Sequence, residues 1–380
     1  MERRRKLGLK YLMAQEKLPW ELEEEILFRV PPLPLTRLRT VCKRWDTLFN
    51  EKRFIKNHLA RAHPQFILAS KSKFCSVSVS LDDDPKIEVR ELNLDIPGLE
   101  SKRPKNIHHH DGLLLCSWED NRVYVWNPLL RESRWIEPDS KQSMGIEGIV
   151  YDNIGVEYSS FKIFESQFIP KFKWSFCNFV SNNAWKDYDH RFMGIIHLFG
   201  ASVFLNGTLY WVVYSSEYLD KMFIISLDCS TERSRVFCCL PCKRKSSTNA
   251  PVLAVFRGDR FSLLEECNET KKIEIWVTKN KINNGDAESV DWIIFMTVSI
   301  SNFPDLVGIR SYSPPSYFIE YKTLVMCSCD ENGQAWIYVV RGNKLSKSRI
   351  EVGPWPLHIT YIPSLVPVPQ GQREEVGLQV

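Results

Sequence analysis

Cys239-Leu240-Pro241-Cys242, with Cys238 beside it, is a place in this 380-residue chain where residue type and spacing could do chemistry. A C-x-x-C pair exchanges electrons when its first thiol sits at a helix N-terminus, where the helix dipole lowers the thiol pKa. Here the pair follows a strand-like run and leads into the polar loop Lys243-Arg244-Lys245-Ser246-Ser247. A zinc ribbon would need a second pair, and Cys327-x-Cys329 has the wrong spacing for one. His108-His109-His110 offers metal-ligand types, but adjacent residues point different ways and cannot all reach one ion, so the triplet reads as a polar strand entry before Gly112. Asp82-Asp83-Asp84 lacks the alternating ligands and distal glutamate of a calcium loop and reads as a hairpin tip. Phosphate-loop, dinucleotide, nucleophile-elbow and zinc-helix signatures do not occur. The expectation is a non-enzyme with no catalytic residue, no cofactor and no metal.

Charge narrows the class of partner. The formal charge is +4, but residues 1–10 hold five bases against one acid, leaving 45 of each in the remainder. A nucleic-acid binder carries its basic excess on the binding domain, so a neutral body argues against one. The composition, 44% hydrophobic and 25% charged, is that of a globular protein. Eleven cysteines, an odd number spread through a long chain, read as reduced thiols. Residues 7–17 are too interrupted by polar side chains for a signal peptide, and no stretch is apolar for the roughly 18 residues that a membrane span needs. These features predict a soluble protein of the cytoplasm or nucleus, with no membrane partner. The Arg3-Arg4-Arg5-Lys6 cluster fits either an unstructured terminus or a nuclear-import signal. Asn206-Gly207, between two apolar runs, predicts a hairpin turn.

The elements divide near residue 63. Pro19 suits a first helical turn, the acids at 21 and 23–25 suit the positive end of a helix dipole, and Leu22, Ile26, Leu27 and Val30 form one stripe. Pro31-Pro32-Leu33-Pro34 ends that helix. Leu35, Leu38, Val41, Cys42, Trp45, Leu48 and Phe49 continue at helical period over two short helices or one bent one, and Phe54, Ile55 and Leu59 extend it. Some 45 residues are close to the limit for folding alone, so part of this apolar surface must meet either a partner or the rest of the chain.

The run Leu18-Pro19-Trp20-Glu21-Leu22-Glu23-Glu24-Glu25-Ile26-Leu27, followed by Val30-Pro31, Leu35 and Leu38-Arg39-Thr40-Val41-Cys42-Lys43-Arg44-Trp45, resembles an F-box of the plant type. The resemblance implies a helical hook docking on the Skp-family adaptor of a cullin-based ubiquitin ligase. It implies that Leu18, Pro19, Ile26, Leu27, Val30, Leu35, Leu38, Val41, Cys42 and Trp45 are adaptor contacts or local core.

From Phe66 onward short β-branched and aromatic runs alternate with turn residues. They group into six units, 66–92, 112–138, 148–188, 203–240, 252–300 and 317–352. Related strands 123–127, 223–228, 273–277 and 335–339 are spaced near a period of 50, with a longer last interval. Four strands per unit predict a six-bladed β-propeller, closed by pairing 358–362 with the first unit; the alternative is a pair of β-sandwiches. Gly112-Leu113-Leu114-Leu115-Cys116, Trp126-Asn127-Pro128, Leu205-Asn206-Gly207-Thr208-Leu209-Tyr210-Trp211 and Ile273-Glu274-Ile275-Trp276-Val277-Thr278 resemble the plant F-box-associated, or kelch-associated, domain. The expected plan is α+β and multidomain: a basic disordered tail at 1–17, an all-α F-box at 18–63, an all-β substrate domain at 64–363 and a disordered tail at 364–380.

The resemblance implies a substrate receptor that presents a target protein for ubiquitination and proteasomal degradation. Residues 181–189, 244–251 and 279–289 are candidate target-facing loops. The competing expectation is a propeller that binds or converts a small molecule or glycan while retaining the hook.

Overall fold

The computed structural model describes residues 18–71, 73–92, 103–118, 122–136, 145–151, 161–167, 173–178, 185–189, 196–215, 221–228, 231, 233–243, 251–267, 270, 272–283, 290–299 and 314–368, with backbone alone between 145 and 201. The basic start, residues 369–380, the loop 244–250 and parts of the other two candidate loops lie outside these residues.

Four helices open the described chain: α1 (Trp20–Arg29), α2 (Pro32–Leu38), α3 (Lys43–Asn50) and α4 (Lys52–Leu59). Pro19 occupies the N-cap of α1, and Val30 leaves it in an extended conformation. The proline run does end α1, but it also starts α2: Pro32 and Pro34 fall in the first turn, where the missing N–H groups have no helical acceptor to lose. The second stripe is therefore two helices, α2 and α3. Phe54 is fully buried, stacked on Phe28 at 4.5 Å and tilted against Phe49 at 5.2 Å. His58 Nε2 lies 2.9 Å from the Val30 carbonyl and ties α4 to the end of α1.

The rest is antiparallel sheet. The first sheet orders β24 (Leu357–Tyr361), β1 (Gln65–Ala69), β2 (Phe74–Ser80) and β3 (Lys86–Leu92). The second comprises β4 (Asn106–His110), β5 (Leu113–Ser117), β6 (Val123–Asn127) and β7 (Glu132–Ile136). The third comprises β8 (Gly145–Tyr151), β9 (Phe161–Gln167), β10 (Lys173–Asn178) and β11 (Trp185–Asp189). The fourth comprises β12 (Ile196–Leu205), β13 (Thr208–Ser215), β14 (Lys221–Asp228) and β15 (Arg233–Lys243). The fifth comprises β16 (Val252–Phe256), β17 (Arg260–Glu266), β18 (Ile273–Thr278) and β19 (Trp292–Val298). The sixth comprises β20 (Ser316–Glu320), β21 (Thr323–Cys329), β22 (Ala335–Arg341) and β23 (Lys344–Ile350). The four repeating runs that set the sequence period are β6, β14, β18 and β22, the third strand of their sheets.

Six sheets form, but five of them close the propeller by packing face to face, which corrects the expected blade count. The first and second sheets share one core, the fourth and fifth another, the fifth and sixth a third, and the sixth and first a fourth. The ring is completed between the second and fourth sheets, whose residues share a core and whose inner strands β4 and β12 touch directly, with the His110 ring edge-on to Phe204 at 5.4 Å. The third sheet meets this ring through β8, which touches β4, β5 and β12. Counting strands reveals how many sheets form; among the described side chains, the apolar faces of five sheets pack on one another. The sandwich alternative falls for the same reason, since a closing sheet packs on a different neighbour through each face. Closure follows the expected route, with β24 antiparallel to β1 and Ile359 opposite Ile67.

Candidate functional site

Within the helical hook the expected adaptor residues separate into three groups. Leu27 and Leu35 are buried, so they are core. Val30, Leu38 and Trp45 are half-buried and pack against that core, and Trp45 Nε1 donates to Glu23 Oε2 at 3.3 Å. Leu18, Pro19, Ile26, Val41 and Cys42 are exposed. Leu22 and Leu33, which the F-box resemblance does not mark as adaptor contacts, are 52% and 40% exposed, beside 52% for Leu18, 53% for Ile26 and 59% for Val41. Leu22 was legible, since Leu18, Leu22 and Ile26 step four residues apart along α1 and its entry. Leu33 was hidden inside a run that reads as a helix breaker.

The opposite face of the hook is not free. Leu27, Phe28, Leu35, Leu48, Phe49, Phe54 and Ile55 belong to the same buried cluster as residues of the second and fourth sheets. The hook is therefore covered by the body on one side, while Leu18, Leu22, Ile26, Leu33 and Val41 stay exposed. Isolated exposed hydrophobics are ordinary; here five fall within 24 residues of a small helical unit.

The other chemical candidates lie in strands and turns of the sheets. Cys239-x-x-Cys242 lies within strand β15 instead of a loop after it, and burial pushes the neighbouring Cys238 thiol up to about 12. Burial likewise raises Cys327 and Cys329, the latter to about 11, so both are inert thiols inside the sixth sheet. The histidine triplet is corrected too. It forms the inner strand β4, with His108 and His110 buried, and not a polar entry. Desolvation lowers His109 to about 4, and His109 Nε2 accepts from the Gly112 and Ile362 N–H groups at 2.9 and 3.3 Å. No cluster of three metal-ligating side chains occurs among the described residues. Asp82-Asp83-Asp84 is a hairpin tip between β2 and β3, and Asn206 and Gly207 make the β12–β13 turn with φ of 51° and 79°.

Alternating strand direction gives the propeller two faces. The turns β4–β5 and β6–β7 lie at the hook's side: Lys56 of α4 acts electrostatically on Asp111, Leu129 and Leu130 pack against the hook's core, and His63 pairs with Glu320 at 3.0 Å. The hairpins β1–β2 and β21–β22 and the connection β23–β24 therefore lie on the opposite face. A cleft of about 550 Å³ opens among them, with Lys73, Arg349, Glu351, Asn332 and Gln334 in its lining. Gly353 and Pro354 also line it, in a turn where Gly353 has φ of 101°, Trp355 has φ of 50°, and the Trp355 N–H donates to the Gly333 carbonyl at 2.7 Å.

This combination of helical hook and β-ring matches known sequence families in the same order. Residues 16–57 match the F-box domain, and residues 65–368 match the F-box associated beta propeller domain. The chain belongs to the F-box proteins that carry this propeller. In Arabidopsis thaliana, F-box/kelch-repeat protein At3g16580 is 49% identical over 94% of this chain and 95% of its own, and F-box protein At2g14710 is 48% identical over 96% and 99%. Among solved structures, the beta-propeller domain of Myceliophteria_thermophila Cps50 (Swd1) aligns with a TM-score of 0.40 at 12% identity, covering 76% of this chain and 87% of that one. That likeness is too loose to carry any argument. No described helix is long and apolar enough to cross a membrane.

Proposed function

We propose that this protein is the substrate receptor of a Skp–cullin–F-box ubiquitin ligase, a binding subunit without chemistry of its own. The exposed residues Leu18, Pro19, Leu22, Ile26, Leu33, Val41 and Cys42 dock on the Skp-family adaptor, and through it on a cullin. The propeller holds a target protein by the face away from the hook, for ubiquitination and proteasomal degradation in cytoplasm or nucleus. Catalysis is by proximity, since a tethered target meets the transfer machinery at high effective concentration.

The observation that carries this reading is the division of the hook into a buried face continuous with the propeller and an exposed apolar face. The test is a titration of the full chain with purified Skp-family adaptor. Leu22→Glu and Ile26→Glu should each weaken binding at least about tenfold, because a charge would be desolvated in an apolar contact, while the melting temperature stays unchanged. If the unmodified chain does not bind, the assignment fails.

A further inference from the structure

The hook is joined covalently to the propeller by residues 60–64 alone, a short link between α4 and β1. A second, non-covalent connection comes from the far end of the chain. After β24, residues 362–368 run from the first sheet across the hook-side turns of the second. The Ile362 N–H donates to His109, as described, and Asn127, fully buried, donates through Nδ2 to the carbonyls of Ser364 at 2.9 Å and Val366 at 2.7 Å. Asn127 Oδ1 meanwhile accepts from the Leu129 and Leu130 N–H groups at 2.9 and 3.2 Å, so both ends of the amide are used. The Val368 N–H donates to Glu132 Oε2 at 2.9 Å. Gly112 is required by the same contact: with φ of 88°, an added Cβ would fall 2.1 Å from the Ser364 Cβ.

The apolar side chains of this segment go elsewhere. Leu365, Val366 and Val368 are each 1–2% exposed and belong to the cluster formed by Leu27, Phe28, Leu35, Leu48, Phe49, Phe54 and Ile55 of the hook and by β5, β6, β13 and β14 of the ring. Polar backbone is held by the second sheet and apolar side chains fill the seam between sheet and hook. The expected disordered tail from 364 thus begins with five ordered, packed residues.

We propose that residues 362–368 are a wedge that welds the F-box hook to the propeller as one rigid unit, with Asn127 and Gly112 as its positioning residues. On the receptor reading above, the wedge rather than the linker sets where a target sits relative to the adaptor. A flexible link of five residues would let the hook sample many orientations; a buried seam selects one.

The test cuts the linker. A site-specific protease sequence is inserted between Ala62 and His63 of the full chain, the folded protein is cleaved, and the fragments are separated by gel filtration at micromolar concentration. The hook should stay with the propeller. Leu365→Asp and Val366→Asp should release it, and the milder Asn127→Ser and Val368→Ala should each weaken retention about three- to tenfold while the propeller's circular dichroism is unchanged. A cleaved hook that leaves the unmodified propeller, or one retained equally by all four variants, overturns the proposal. If the aspartate variants fail to fold, the two milder ones decide it. Adaptor titration of the uncut chain is a separate arm: absence of adaptor binding sinks the receptor reading and leaves the weld standing, whereas release of the hook does the reverse.

Discussion

At the scale of single residues, histidines enclosed by the propeller should shape the response to acid. His109 and His358 both have pKa values lowered to about 4 by desolvation, and His358 Nδ1 is 2.8 Å from the Ser316 hydroxyl. A histidine lowered in the folded state contributes stability in full above its unfolded value near 6.5, and that stability is lost as pH falls toward the folded value. Each can withdraw up to about 3 kcal/mol over that window. His58 and His110 are shifted the same way, both chiefly by burial. Asp111 acts in the opposite sense. Burial raises its carboxyl to about 7, so the folded chain takes up that proton first and gains stability as pH falls from 7 toward 4. His109→Gln keeps an acceptor for Gly112 and Ile362 without a titrating group. Thermal melts of this variant should therefore lose less stability than the parent between pH 6.5 and 4.5; an equal loss would assign the acid response elsewhere. Phe54, fully buried among Phe28, Phe49 and His58, is the corresponding apolar test. Phe54→Ala should cost about 3–5 kcal/mol in denaturant unfolding by leaving a cavity at the centre of the hook.

At the scale of elements, ring closure rests on β24. Its five pairs with β1 supply the inner strand of a sheet whose other three strands lie almost 300 residues earlier. Ile359→Pro, at the middle of that ladder, removes a backbone donor and fixes φ, and should lower stability by about 3 kcal/mol or more. A melt unchanged by this substitution would show that the ring holds without its clasp. Strand identities were legible because β6, β14, β18 and β22 are short β-branched and aromatic runs, mostly buried, with turn residues beyond them. The histidines of β4 were misread because polar residues ordinarily mark strand ends, and only the neighbouring inner strands show that this one is enclosed. Pro32 was read as a stop for the same local reason: a proline that terminates one helix is equally suited to begin the next, and the residues after it decide which.

At the scale of the whole molecule, the two faces of the hook should answer differently to substitution. Leu22→Glu and Ile26→Glu act on an exposed face and should separate assembly from stability. Leu35→Ala, at a residue with no exposure, should lower the melting temperature by several degrees and weaken adaptor binding only through unfolding. Parallel adaptor titration and thermal melts of these three variants check the division; a stability loss at Leu22 matching that at Leu35 would contradict it. The charge excess of +4 belongs to residues 1–10, and the remainder is balanced.

The sequence by itself determined the hook, the hairpin turns, the order of the sheets and the pairing that closes the ring. These depend on short-range patterns: apolar period, proline and glycine chemistry, and the motifs shared with F-box proteins. Tertiary structure alone decided that five sheets close the ring, that Leu27 and Leu35 are core while Leu22 and Leu33 face outward, and that residues 364–368 fill a seam. Each of these depends on which apolar face meets which across long separations in the chain, and a side chain's type carries no record of its partner.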